Sequence, residues 1–176
     1  NGIKFNDGRD DIYSFIKEVY ASGKGVYKKI HLGLISGDAR LSLCGLQNIK
    51  FHAVFQDPFS PSKNPELWTV DFFIKLKELL AETGIITTYS SADHIRKAMI
   101  EAGFILSAGP YVGKKREGTL ASLQGVNPVL EKERIDEIMK NIKSEPYRDP
   151  GFCVSREDIL LQRLNRIKEI RKILQK

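Results

Sequence analysis

Residues 51–68 read FHAVFQDPFSPSKNPELW, and this stretch places an apolar strand directly before an acidic loop. The run Ala53–Phe55 predicts a buried strand that stops just short of Asp57. A turn rich in proline and serine follows, after which Asn64 can cap a helix and Pro65 fits its first position. Ligands of an open α/β sheet bind beyond the carboxyl ends of its strands. Asp57 is therefore the first candidate for a functional residue.

Strand-like and helix-like segments alternate on both sides of this stretch. Apolar residues at helical spacing predict helices, and short apolar runs bounded by turn residues predict strands. The strands are predicted at 30–35, 51–55 and 85–89, and the helices at 10–22, 40–46, 64–81 and 92–102. Such alternation is typical of a mostly parallel sheet that helices cover on both faces. We interpret the basic segment KGVYKK, 24–29, as a linker.

The pattern changes after Gly103. Phe104–Ala108 and Thr119–Leu123 predict two short strands, joined by a long loop whose tip carries Lys114, Lys115 and Arg116. This is an antiparallel hairpin at one edge of the sheet. Beyond it, helices are predicted at 128–143 and after the capping residue Ser155. We therefore expect an α/β domain over residues 1–124 and a C-terminal helical extension, packed on it, over residues 125–176.

Composition restricts the possible classes of protein. The chain has 176 residues, 41% of them hydrophobic and 28% charged, which is ordinary for a globular domain. No apolar run approaches the roughly 18 residues that cross a bilayer. Cys44 and Cys153 have no cysteine or histidine at ligand spacing, so we expect a reduced, cytoplasmic setting and no structural zinc. A net charge of +6 favours an anionic partner such as nucleic acid, although many basic proteins bind none.

Two acids follow predicted strands, and each has two interpretations. Asp38, in Gly37-Asp38-Ala39, could accept hydrogen bonds from an adenine amino group, or it could simply cap the next helix. Asp57, followed by Pro58 and Phe59, could hold an amine while the aromatic ring packs against the attached base. Alternatively, Asp57 could bond its own loop amides as a structural turn. The sequence favours the functional interpretation for Asp57 and leaves Asp38 open.

Other polar residues are weaker candidates. Tyr89-Ser90-Ser91 ends the third predicted strand, so these hydroxyls could line the same cleft as Asp57 or cap the next helix. The basic residues of the hairpin tip suit phosphate contacts or a solvated loop equally well. The three histidines, His31, His52 and His94, lie in separate elements, which argues against a metal site or a catalytic triad. Neither a Walker loop nor a Gly-x-Ser-x-Gly elbow is present.

Three segments together resemble a known family. VFQDPFSPSKNPELWTVDFFIKLKELL, GIITTYSSADHIRKAMIEAGF and VGKKREGTLASL are similar to the methyltransferase domain of MnmC-type proteins. These are S-adenosylmethionine-dependent tRNA methyltransferases that complete the 5-methylaminomethyl(-2-thio) group of the wobble uridine. The resemblance is continuous from about Ile30 to Leu123, and the later EPYRDP loop fits it too. The run from Asp57 to Trp68 is long and unusual, which makes the match specific.

The resemblance implies a class I, Rossmann-like methyltransferase fold that acts on tRNA, with no metal and no membrane association. It implies direct attack by the aminomethyl nitrogen on the sulfonium methyl group, with Asp57 as the catalytic acceptor or orienter of the amine. The implied cofactor-binding residues are Asp38, Ala39, Asp57 and Pro58. The implied substrate-binding residues are Phe59, Lys63, Tyr89, Lys115 and Arg116.

The chain also departs from the family pattern. Family members carry a glycine-rich loop after their first strand and an acid after their second, and neither occurs in residues 1–35. Gly23-Lys24-Gly25 follows a predicted helix, which is the wrong context for that loop. We therefore expect the latter part of a methyltransferase domain, whose first strands are absent and which alone lacks half of the cofactor site. The alternatives are a methyltransferase with another amine acceptor and a non-catalytic RNA-binding or docking module.

Overall fold

A computed structural model describes residues 9–112 and 116–175. Two compact units divide the chain after Ser42, and each is described by itself. The first contains helix α1 (Arg9–Ser22) and strands β1 (Lys24–Tyr27) and β2 (Ile30–Gly33). Helix α2 (Ala39–Gly45) begins in this unit and ends in the second.

The first unit is a helix packed on a two-stranded hairpin. β1 and β2 pair antiparallel, with Val26 opposite His31. A side chain on Gly25 would lie 2.6 Å from Val19 and 2.7 Å from Phe15, so glycine lets β1 approach α1 closely. The prediction of a linker at 24–29 is therefore wrong. The sequence hid the hairpin because Lys28 takes the positive φ of the turn, a conformation that usually calls for glycine or asparagine.

The second unit is an α/β arrangement around a four-stranded mixed sheet. Its strands are β3 (Phe51–Phe55), β4 (Leu80–Thr88), β5 (Ile105–Val112) and β6 (Arg116–Ser122), in the order β3-β4-β6-β5. β3 and β4 are parallel, whereas β6 pairs antiparallel with both β4 and β5. β3, β4 and β5 thus share one direction. The predicted antiparallel hairpin is confirmed. Its first strand, β5, lies at one edge of the sheet, whereas its second strand, β6, lies between β4 and β5.

Two expectations about the sheet need correction. Only one of its three neighbouring pairs is parallel, so the sheet is mixed in its pairing. The predicted strand 30–35 is β2, which pairs with β1 and not with this sheet in the described residues. β3 was expected to be buried, yet the Phe55 side chain is 81% exposed. Among the described residues β3 pairs with β4 alone, so it is an edge strand and much of it faces solvent.

The core lies where the helices pack against the middle of this sheet. Ile86, Ala121 and Leu106 stand in register across β4, β6 and β5, and each is almost fully buried. The helices add the buried side chains of Phe73 on α3 (Val70–Leu79) and Ile95 on α4 (Asp93–Glu101). Such burial of large apolar side chains is the main stabilising contribution, at about 2 kcal/mol each.

The predicted helix at 64–81 is two pieces. Pro65–Trp68 forms a 3₁₀ turn, and Thr69 then interrupts the helix with extended backbone. The Thr69 hydroxyl accepts a hydrogen bond from the Phe72 amide at 3.1 Å, so Thr69 caps α3. Asn64 does not cap a helix; its side chain donates to Glu66 at 3.1 Å.

The C-terminal part of the second unit contains α5 (Lys132–Lys140) and α6 (Arg156–Leu174). Ser155 caps α6, as predicted, by accepting a hydrogen bond from the Asp158 amide at 3.1 Å. Ile138 of α5 and Ile159 of α6 are completely buried. The loop before α6 is also fixed, because the Val70 amide donates to the Tyr147 carbonyl at 3.0 Å. This pairing brings the start of α6 near the segment that follows β3.

Candidate active site

The candidate site starts at the carboxyl end of β3. Gln56 is buried, its amide donates to the Thr87 carbonyl at 2.9 Å, and its side chain donates to the Leu67 carbonyl at 2.6 Å. Asp57, the next residue, is exposed. Within residues 9–112 and 116–175, the Asp57 carboxylate makes no hydrogen bond or ion pair. A buried, hydrogen-bonded residue is therefore followed directly by an exposed acid.

The loop after Asp57 is fixed by two aromatic side chains. The Tyr89 hydroxyl donates to the Pro58 carbonyl at 3.1 Å, and the Trp68 indole donates to the Phe59 carbonyl at 3.0 Å. These two rings contact each other edge-to-face, with their centroids 5.8 Å apart. The bonds that hold the loop thus come from Tyr89 and Trp68 rather than from Asp57. A fixed backbone beside an open carboxylate is a suitable arrangement for orienting a ligand.

Tyr89 links the two strand ends electrostatically. Partial burial, and then the negative charge of Asp57, raise the pKa of the Tyr89 phenol above its usual value. The phenol therefore keeps its proton at neutral pH and remains a hydrogen-bond donor to Pro58. The sequence predicted that Tyr89 and Asp57 share one edge of the sheet, and the structure brings them together in this way.

A cleft of about 350 Å³ lies between the Asp57 loop and the end of β4. Its lining includes Tyr89, Ser90, Ser91 and His94, together with Tyr147 from the loop before α6. Burial, and then the charge of Arg163, lower the pKa of His94 to about 4. His94 and Tyr147 were not predicted as lining residues.

A second groove, of about 550 Å³, lies along the same loop. Phe59 and Lys63, both predicted substrate residues, line it together with Ser62, Asn64 and Arg156. The Phe59 ring is 76% exposed. Arg156 was not predicted, because it lies at the start of α6, far away in sequence.

The β5–β6 hairpin is tied to the end of β4. Buried Arg96 of α4 donates to Thr119 Oγ1 and Glu117 Oε1, each at 3.0 Å, and to the Gly118 carbonyl at 3.2 Å. The Thr119 hydroxyl in turn donates to the Ser90 carbonyl at 2.7 Å. The stem of the hairpin is therefore bonded to the residue next to Tyr89.

The predicted basic tip of the hairpin is described only in part. Lys114 and Lys115 lie outside the described residues, and Arg116 is the first residue of β6. The predicted phosphate contacts of Lys115 and Arg116 therefore stay predictions.

Asp38 and Ala39, the predicted adenine contacts, lie at the start of α2. The Asp38 carboxylate accepts hydrogen bonds from the Arg40 amide at 2.9 Å and from its guanidinium at 2.7–3.1 Å. These bonds from Arg40 outweigh the opposing effect of burial and lower the pKa of Asp38. Asp38 therefore makes the contact that the helix-capping interpretation predicts.

The same residues fit an adenine edge. The Asp38 side chain remains 35% exposed and is ionised, so it can accept a further hydrogen bond. Ala39 is the first residue of α2, where backbone amides have no intrahelical acceptor. An acceptor followed by a donor matches the amino group and ring nitrogen of adenine. Asp38 belongs to the first unit and Asp57 to the second.

Residues 9–112 and 116–175 contain neither a metal-binding cluster nor a membrane-spanning helix. No cluster of three or more His, Cys, Asp or Glu side chains that could hold a metal ion occurs there. Among the helices of the same residues, none is long and apolar enough to cross a membrane.

Comparison with known proteins identifies the family. A family model described as S-adenosyl-L-methionine-dependent methyltransferase matches residues 11–124. An uncharacterized protein of Methanocaldococcus jannaschii is 31% identical over 165 residues, which cover 91% of this chain and 45% of that protein. The tRNA 5-methylaminomethyl-2-thiouridine biosynthesis bifunctional protein MnmC of Pseudomonas paraeruginosa is 37% identical over 97 residues. These residues cover 55% of this chain and 15% of the MnmC protein.

A solved structure agrees with these matches. The crystal structure of MnmC2 from Aquifex aeolicus superposes with a TM-score of 0.82 at 31% identity, covering 96% of this chain and 55% of the other. The chain thus spans about half the length, or less, of these relatives. The resemblance to MnmC-type methyltransferases is confirmed, and the cofactor of the matched family is S-adenosylmethionine. The chain belongs to the family of S-adenosyl-L-methionine-dependent methyltransferases.

Proposed function

We propose that the protein methylates the 5-aminomethyl group of the wobble uridine in tRNA, giving 5-methylaminomethyl(-2-thio)uridine. The observation that carries this proposal is the open Asp57 carboxylate at the end of β3, on a loop held by Tyr89 and Trp68. The similarity to a protein named for the biosynthesis of 5-methylaminomethyl-2-thiouridine in tRNA supports the choice of substrate. We also propose a cytoplasmic location, which a tRNA substrate supports.

Asp57 has a defined chemical role in this reaction. A free alkylamine is largely protonated at neutral pH and is then no nucleophile, so a carboxylate beside it can accept a proton and orient the lone pair. S-adenosylmethionine supplies an activated methyl group when it is bound. The amine would take this methyl group, and Asp57 would accept the proton that the nitrogen loses. No covalent intermediate with the protein is needed.

The remaining site residues take supporting roles. Asp38 and Ala39 would hold the adenine of the cofactor, and Asp57 and Pro58 would contact the cofactor near the methyl group. Phe59 and Lys63 bind the RNA substrate, and Tyr89 fixes the loop. Lys115 and Arg116, on the hairpin, contact phosphates farther along the tRNA.

The test of this function is methyl transfer from labelled S-adenosylmethionine to undermodified tRNA by the full-length protein. We expect Asp57→Asn and Asp57→Ala to lose at least about 100-fold in kcat, because both remove the proton acceptor. Asp136→Asn is the matched control, since Asp136 is a half-exposed acid on α5. Unchanged turnover in both Asp57 variants would remove this residue from the mechanism. Equal activity on small alkylamines would instead favour a methyltransferase with another amine acceptor.

A further inference from the structure

The groove that contains Phe59, Lys63 and Arg156 has features that methyl transfer to a single uridine does not use. We call it the Phe59 groove, lined by Phe59, Ser62, Lys63, Asn64 and Arg156. It begins two residues beyond Asp57 on the same loop. The Cα atoms of Asp57 and Phe59 are therefore at most about 7 Å apart.

Phe59 presents an exposed ring on a fixed backbone. The ring is 76% exposed, although its carbonyl is anchored by the Trp68 indole at 3.0 Å. A large aromatic side chain in water loses the free energy that burial would give. Exposed aromatic rings on a rigid support are the platforms on which proteins stack unpaired bases.

Two cations flank this ring. Lys63 is exposed and has no ion-pair partner among the described residues. Arg156, whose side chain is 48% exposed, donates to Glu66 Oε1 at 2.9 Å. Burial of Glu66 opposes its ionisation, but the hydrogen bonds from Arg156 and Asn64 outweigh it and lower the pKa of Glu66. Glu66 is thus charged at neutral pH, and Lys63, Arg156 and Glu66 sum to one net positive charge.

We propose that the Phe59 groove binds the nucleotide next to the modified uridine, with its base stacked on Phe59 and its phosphate on Lys63 and Arg156. The inference rests on the proposed function, because it takes the uridine at Asp57 as its starting point. An aromatic platform with adjacent cations matches a base joined to a phosphate, whereas an acidic peptide would have no use for the exposed ring. The guanidinium of Arg156 has further donors besides the one bonded to Glu66.

The Arg156–Glu66 pair allows a sharp test. If the pair only fastens α6 to the 3₁₀ turn, then Arg156→Gln and Glu66→Gln should have the same effect. If Arg156 binds phosphate, Arg156→Gln weakens RNA binding, whereas Glu66→Gln frees the cation and leaves binding equal or tighter. The opposite signs of the two variants separate the two roles.

The experiment measures fluorescence anisotropy of a labelled anticodon stem-loop with the full-length protein, across a series of salt concentrations. We expect Arg156→Gln and Lys63→Gln each to reduce the salt slope by about one phosphate contact. Phe59→Leu should weaken binding about tenfold. Thermal melting of each variant confirms that it is folded. Methylation kinetics then compare the stem-loop with the isolated 5-aminomethyluridine nucleoside.

We expect Arg156→Gln to raise KM for the stem-loop and to leave turnover of the nucleoside unchanged. Equal losses in Arg156→Gln and Glu66→Gln, or unchanged stem-loop binding in Arg156→Gln, would overturn the proposal. If the wild-type protein methylates neither RNA nor nucleoside, the proposed function fails. Opposite binding effects of the two variants in that case still support the groove as a nucleotide site.

Discussion

Of the three histidines, His94 is the most buried. Its Nε2 atom is buried and has no hydrogen-bond partner among the described residues, and its ring meets Tyr147 edge-on at 5.4 Å. Burial, and then Arg163, lower the pKa of His94 to about 4, while Asp93 acts in the opposite direction. His94 is therefore neutral at physiological pH, and its protonation in the folded protein is unfavourable.

This predicts an acid-sensitive stability. The unfolded chain binds a proton at His94 near pH 6.5 and the folded chain near pH 4, so the free energy of unfolding falls as the pH drops from 6.5 to 4. The contribution of His94 is about 2 kcal/mol. Urea unfolding at pH 7.0 and pH 4.5 measures it. His94→Phe, which keeps the ring beside Tyr147, should show a smaller difference between the two pH values; an identical difference would contradict the assignment.

At the scale of the residue, the sequence predicted that Asp57 lies at a strand end but did not predict the residues that hold its loop. An acid after an apolar run predicts an exposed carboxylate at a strand end, because strand side chains and loop side chains have different environments. The donors that fix its loop are 31 and 9 residues away from the carbonyls they bind. Arg156 is 90 residues from Glu66. No local pattern encodes such pairings.

Among the elements, α4 and the β5–β6 hairpin are joined through one buried guanidinium. Arg96 is 3% exposed and donates to two side chains and one carbonyl of β6. Because Thr119 also donates to Ser90, the same contacts connect the hairpin to the end of β4. The hairpin is therefore held by polar bonds as well as by its strand pairing.

Removing this guanidinium should destabilise the protein strongly. Arg96→Met leaves the buried Thr119 hydroxyl and Gly118 carbonyl short of a partner, and we expect a loss of about 3 kcal/mol. Urea unfolding measures the change. Arg134→Gln is the control, because Arg134 is 38% exposed, pairs with Asp93 and Glu137, and should contribute no more than about 1 kcal/mol. A similar loss for both arginines would show that burial is not what makes Arg96 important.

Elements with strong periodic patterns were predicted well, and those set by turns were not. α1, α4 and α6 lie where apolar spacing and capping residues place them. The segment 64–81 was predicted as one helix because Leu67 and Val70 continue the apolar spacing across Thr69. The Thr69 backbone is extended and bridges to Tyr147. Strand β1 was not predicted because two lysines form the turn that follows it. In both places tertiary contact or an unusual turn residue overrides local preference.

The whole molecule is a basic chain in two units. Its net charge of +6 is consistent with an RNA partner, and the sheet of the second unit positions Asp57 beside Tyr89. The order of the sheet was not predicted, since strand patterns do not specify which neighbours pair. The division at residue 124 stays a prediction.

The charge predicts how RNA binding responds to salt. Release of counterions from phosphates makes the logarithm of the association constant fall linearly with the logarithm of salt concentration. We expect such a fall for the full-length protein with tRNA, and a slope smaller by about one contact in Lys115→Gln. Filter binding at several potassium chloride concentrations measures both slopes. An affinity that does not change with salt would exclude phosphate contacts as the main source of binding.

The position of β6 between β4 and β5 constrains synthesis of the chain. β5 is made first, yet its pairing partner in the sheet is β6, which ends at Ser122. While the ribosome has produced only the residues up to β5, the edge of β4 that will receive β6 stays uncovered. An uncovered strand edge is a template for pairing with other chains. Chains that stop before residue 116 therefore expose this edge of β4, and we expect them to aggregate more readily than chains that include β6.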